Sequence, residues 1–217
     1  MKNNNDITEL VFILDRSGSM QGLEKDTIGG FNAMIEKQKK QSSACYVSTI
    51  LFNHESKVIY DREKIMEVWP MTEKDYEVGG TTALLDAVGG AIHHIGKLHK
   101  YFGESAPSKT MFVITTDGME NASRRYDAAT VKMMIERQKE KYGWEFIFIG
   151  ANIDAVETAA GFGIDADRAV NYNADSKGTK ILYESVAEVV CSLRASAPID
   201  KSWKKNLDAD YRKRGRK

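Results

Sequence analysis

The chain is expected to fold as an α/β protein: a three-layer, doubly wound, Rossmann-like domain with a mostly parallel central sheet. Three observations predict this. Short apolar runs alternate with longer segments of helical period. Two of those runs, Met111-Phe112-Val113-Ile114 and Phe146-Ile147-Phe148-Ile149, are unbroken, as suits strands covered on both faces. And the 217 residues, 42 % apolar and 29 % charged, are enough for one full core.

Strands are expected at Leu10–Leu14, Tyr46–Phe52, Lys57–Tyr60, Thr110–Thr115, Glu145–Ile149 and briefly at Ala169–Asn171. Helices are expected at Gly22–Gln41, Leu84–Phe102, Asp127–Tyr142, Asp154–Gly161 and Gly178–Arg194. In the first helix Leu23, Thr27, Phe31, Met34 and Ile35 share one face. In the third, Ala128, Val131, Met134, Ile135 and Gln138 do so. Helices between strands imply parallel crossovers. Only Asn53-His54-Glu55-Ser56 separates the second and third strands, too few residues for a crossover helix. They form a hairpin, which makes one edge strand antiparallel. Gly29-Gly30 inside the first helix costs roughly 1 kcal/mol each relative to Ala and implies close helix–sheet packing. Trp69 and Trp144 read as packing residues.

One domain over residues 1–197 and a basic C-terminal tail over 198–217 is the economical division. The tail holds eight Lys/Arg against three Asp while the whole chain is neutral. It reads first as a solvated, flexible end, and second as a weak electrostatic contact for nucleic acid or an acidic protein. Zero net charge gives no bulk attraction to nucleic acid or to an anionic membrane. Cys45 and Cys191 lie in apolar contexts outside any CxxC and read as reduced thiols. With no signal peptide and no apolar run long enough to span a bilayer, the expected location is the cytoplasm, with no membrane partner.

The chemistry gathers in three loops, two at strand ends and one opening a helix. Val11-Phe12-Ile13-Leu14 stops at Asp15, and Ser17 and Ser19 follow at alternate positions around Gly18. Gly79-Gly80-Thr81-Thr82 precedes the helix that starts at Leu84. Thr115-Thr116-Asp117-Gly118 follows the strand from Thr110. In an open α/β sheet ligands collect beyond the carboxyl ends of the strands. Carboxylates and hydroxyls together suit a hard divalent cation, which prefers oxygen. As helix caps and turn residues alone, these groups would not need to recur in three loops that each follow a strand or open a helix.

Asp-x-Ser-x-Ser, a later Gly-Gly-Thr and an apolar strand ending Thr-Asp-Gly resemble the von Willebrand factor A domain over roughly Glu9 to Arg194. The segment Asp117-Gly118-Met119-Glu120-Asn121 is more similar to intracellular bacterial members than to adhesion receptors. The resemblance implies a sheet of about six strands and a metal-ion-dependent adhesion site (MIDAS). Its ligands would be Asp15, Ser17, Ser19, Thr81 and Asp117, holding Mg²⁺ or Mn²⁺. Thr82 is the substitute for Thr81 should the loop register shift by one. The resemblance further implies a partner protein whose Asp or Glu completes the metal, and a last helix that shifts when it does.

Other readings are weaker. Asp86 reads as a helix-dipole residue, or as an acceptor steadying the threonine loop, and Glu120 as a surface residue. His93, His94 and His99 lack zinc-ligand spacing on a helix. Ser17 and Ser19 lie in no Gly-x-Ser-x-Gly elbow, so no catalytic residue is expected. An aspartyl-phosphate enzyme would carry a second Asp where Ser17 stands. A Mg²⁺-dependent hydrolase or phosphotransfer enzyme using the same carboxylates, and a subunit of an ATPase-driven complex, are the alternatives.

Overall fold

A computed structural model describes residues 6–214. Six strands form one sheet: β1 (Thr8–Asp15), β2 (Cys45–Phe52), β3 (Ser56–Lys64), β4 (Lys109–Thr116), β5 (Glu145–Gly150) and β6 (Ala169–Asn171). Their spatial order is β3-β2-β1-β4-β5-β6. All neighbours run parallel except β2 and β3, which pair antiparallel with a bulge. The helices are α1 (Glu24–Lys39), α2 (Leu84–Phe102), α3 (Ala128–Tyr142), α4 (Ala155–Gly161), α5 (Ser176–Arg194) and α6 (Lys205–Arg214).

Each strand sends alternate side chains to opposite faces. From β1, Leu10, Phe12 and Leu14 enter a core under α1 and α5, whereas Val11 and Ile13 enter a second core under α2 and α3. Every residue of β1 is buried, which places Asp15 at the end of the most enclosed strand. α1 packs on α5 through Gly30. A Cβ there would come within 2.2 Å of the Tyr183 ring. The close approach is therefore helix on helix, and not helix on sheet as the Gly-Gly pair suggested. Trp144 is buried, but Trp69 is half exposed with its ring edge-on to Tyr60.

Residues 198–217 were expected as a flexible tail. In the structure α6 and the 3₁₀ turn before it (Lys201–Lys204) pack on α5 and β6. Trp203 and Leu207 enter the core, and the Trp203 indole N–H donates to the Asp167 carbonyl. Lys204 Nζ donates to the Ala166 and Ala169 carbonyls. Arg214 spans Asp175 and Asp210, and its guanidinium holds Asp210 well below the ordinary carboxylate range. One buried apolar residue in the turn and one in the first turn of α6 anchor the segment, which the charge count conceals. Arg216 and Lys217 of the basic run lie outside the described residues.

At the other end of the helix pair, Arg194 is buried at the C-terminus of α5. Its guanidinium donates to the carbonyls of Gln38 and Ser43, so it caps the C-terminal end of α1. Among the described residues no helix is long and apolar enough to cross a membrane.

Candidate metal-binding site

Asp15, the last residue of β1, is nearly fully buried. The chain turns sharply after it, and its carboxylate supports that turn: Oδ1 accepts the Ser17 amide at 2.7 Å. Oδ2 accepts the Thr116 hydroxyl at 2.6 Å, joining the ends of β1 and β4. The Tyr76 hydroxyl donates to the Asp15 carbonyl. The Asp15–Ser19 loop also meets the glycine turn, where Gly18 N–H donates to the Gly80 carbonyl at 3.0 Å and Gly79 N–H to the Arg16 carbonyl at 2.9 Å. Gly79 and Gly80 have φ of +158° and +80°, the left-handed side that only glycine adopts without strain.

Asp117 follows β4 directly. Its Oδ1 accepts the Ser19 hydroxyl, and the Ser17 and Ser19 hydroxyls lie 3.1 Å apart. Asp117 Oδ2 is buried and has no hydrogen-bond partner among the described residues. Burial pushes both carboxyls above their ordinary range. At Asp117 the nearby Asp15 charge adds to the effect, and the Ser19 bond only partly opposes it.

Three hydroxyls face this pair. A Cβ on Gly118 would stand 3.2 Å from both Ser19 Oγ and Thr82 Oγ1, and 3.9 Å from Ser17 Oγ. The threonine that converges is therefore Thr82, which is buried, and not Thr81, whose residue is exposed to solvent. The physical reason is the loop register: two positive-φ glycines turn Thr81 outward, and Thr82 comes in as the last polar residue before α2. Asp15, Ser17, Ser19 and Asp117 are brought together as expected; Thr81 is not.

Four contributors were not named as site residues. Thr116 orients Asp15, and Tyr76 anchors its carbonyl. Asn121 accepts the Thr82 amide at 2.9 Å. Glu120, expected at the surface, turns inward: Oε2 accepts the Leu85 amide and the Ser123 hydroxyl, and Oε1 accepts the Ala122 and Ser123 amides. It thereby caps α2, whose own preceding residue, Ala83, offers no side-chain cap. Asp86 lies in the first turn of α2, where the helix-dipole reading places it, but its carboxylate does not steady the threonine loop. It accepts the amides of Arg124, Arg125 and Tyr126 and so clamps the loop after β4. Burial alone would raise its carboxyl; those three amides outweigh it and hold the carboxyl below the ordinary value. Side chains reaching across a long chain separation leave no local spacing to read, although the Glu-Asn pair beside Asp117-Gly118 was a signal within one loop.

The histidines are dispersed. His94 pairs with Asp61, and His99 reaches Glu9 near the start of β1. Among the described residues no cluster of three or more His, Cys, Asp or Glu is placed to hold a metal. The residues that could hold a cation are instead the mixed set of two carboxylates and three hydroxyls.

By sequence, the chain matches no protein-family model and no curated protein. By structure it is similar to proximal thread matrix protein 1 from the mussel byssus in a form with a zinc-occupied MIDAS motif. The TM-score is 0.60 at 14 % identity, over 85 % of this chain and 48 % of that one. It is similar to the vWF domain of the type V pili tip protein Mfa5 from Porphyromonas gingivalis, with a TM-score of 0.60 at 10 % identity over 86 % and 96 %. The ArnB paralog VWA2 from Sulfolobus acidocaldarius gives 0.52 at 19 % identity over 85 % and 45 %. The chain spans about half the length of the byssus and Sulfolobus proteins. These likenesses show the fold, which is that of a von Willebrand factor A domain.

Proposed function

We propose that this chain is a divalent-metal-dependent protein-binding module that recognises an acidic residue of a partner protein. The observation that carries the reading is Asp117 Oδ2, a buried carboxylate oxygen without a partner among the described residues, set beside a second buried carboxylate. Leaving such an atom unpaired is costly in a protein interior. A cation held by Asp15, Ser17, Ser19, Thr82 and Asp117 would offset both that cost and the repulsion between the two carboxylates. The oxygen-only donor set suits Mg²⁺ or Mn²⁺.

When bound, such a cation supplies a positive charge with exchangeable positions that an Asp or Glu from outside can occupy. The protein's own residues do the rest. Thr116 and the Ser17 amide fix the direction of the Asp15 carboxylate. Ser19 bridges to Asp117, and Gly118 leaves the space in which the three hydroxyls converge. If the three neutral hydroxyls held the cation directly and the aspartates acted partly through water, much of its charge would stay open to one more anion. Binding rather than catalysis is supported by Asp15 itself: each of its oxygens is already engaged, which leaves it poorly disposed as a nucleophile. The zinc-bearing MIDAS of the byssus neighbour supports the metal part of the reading by analogy of fold only. The free thiols of Cys45 and Cys191 support a reducing compartment such as the cytoplasm.

The test is affinity capture from the source cell with wild type and D15A, each with Mg²⁺ or EDTA. A protein retained by wild type with Mg²⁺, and lost in EDTA and with D15A, is the expected result. Equal capture in all four conditions overturns the proposal.

A further inference from the structure

The turn that presents Thr82 is held from two sides by asparagines. On one side Asn53, buried in the β2–β3 loop, donates its amide to the Gly79 carbonyl at 2.7 Å, and its own carbonyl accepts the Ala83 amide at 2.7 Å. On the other side Asn121 grips Thr82 itself. Its Oδ1 accepts the Thr82 N–H at 2.9 Å. Its backbone N–H and that of Ala122 donate to the Thr82 carbonyl at 3.0 and 3.2 Å. Both backbone polar groups of Thr82 are thus taken by the loop that begins at Asp117.

That loop is itself rigid. Glu120 and Asp86 accept six backbone or hydroxyl donors between positions 85 and 126, besides the Ala122 amide. Asn121 is therefore a fixed point from which the Thr82 backbone is set. Its residue is solvent-exposed, so replacing it opens no cavity in the core. A ligating group must be held within about 0.5 Å of its productive position, and its supporting hydrogen bonds decide whether it is.

We propose that Asn121 is a positioning residue for metal binding: through Oδ1 it fixes the Thr82 hydroxyl relative to Asp117. The inference rests on the metal-binding reading above. The test titrates Mn²⁺ into the full chain by calorimetry for wild type, N121L and N121D, with melting of each in EDTA. N121L removes the acceptor; N121D keeps an oxygen there. Expected is about tenfold weaker Mn²⁺ binding for N121L, with N121D no more than about twofold weaker than wild type. Melting temperatures in EDTA should agree within about 2 °C. The inference is overturned if N121L binds like wild type, if N121D loses as much as N121L, or if the loss only tracks a lower melting temperature. Absence of Mn²⁺ binding by wild type overturns the metal-binding reading itself, whereas wild-type binding with an unaffected N121L overturns this inference alone.

Discussion

The Ser19 hydroxyl donates to Asp117 Oδ1 at 2.5 Å across 98 positions of chain. The bond ties the loop after β1 to the loop after β4. It also uses a hydroxyl whose oxygen still has lone pairs for a cation, so it can persist when the site is filled.

Asp117→Asn separates the two roles. The amide removes a buried charge, so in EDTA the variant should be more stable than wild type by about 1 kcal/mol, or about 3 °C in melting temperature. Saturating Mg²⁺ should stabilise wild type by mass action and leave the variant unmoved. Calorimetric melting with and without the ion reads both effects.

Thr82→Ala and Thr81→Ala should part company. Loss of the buried hydroxyl should weaken Mn²⁺ binding at least tenfold, a loss on the order of 1.4 kcal/mol, while T81A should stay close to wild type. Gly118→Ala should behave like T82A, because the added methyl meets two hydroxyls at 3.2 Å. Equal losses from T81A and T82A in a Mn²⁺ titration would return the motif position to Thr81.

The pH dependence follows from burial. The carboxyls of Asp15 and Asp117 hold protons more tightly folded than unfolded. In the window between the ordinary and the raised value, the native state binds more protons than the unfolded state. Stability without metal therefore falls as pH rises through that window. Urea unfolding of wild type and D15N/D117N in EDTA should show the smallest difference near pH ~4, the ordinary carboxylate range. The double variant should gain its largest advantage at neutral pH.

Trp203→Ala should cost about 3 kcal/mol, the range for emptying a large aromatic site. Urea unfolding measures it. A flexible tail would show no change.

The architecture was legible because covered strands read as unbroken apolar runs. The hairpin was legible because four residues cannot make a crossover. Boundaries at β3 were less so: the strand runs on to Lys64 through Asp61, Arg62 and Glu63. An edge strand is free to carry charge, which hides it from any apolar count. At the site, four of five expected donors converge, since each sits at a strand end that the topology sets. The choice between Thr81 and Thr82 depended on two backbone dihedrals. Asn121, Thr116 and Glu120 act across loops, where sequence distance carries no trace of contact. The Trp203 and Leu207 anchors were missed because net charge averages over a segment and burial does not.

Arg194 and Arg214 have a joint consequence. One grips the end of α1 from the last turn of α5; the other holds Asp175, the residue that caps the first turn of α5. A slide of α5 by a single turn, about 5.4 Å, would have to break the Arg194 grip and, unless α6 travelled with it, the Arg214 grip as well. The helix is pinned like a beam at two supports. A signal from the site to the far face that left both grips intact would have to travel by bending or loosening within that span, with α5 staying in place.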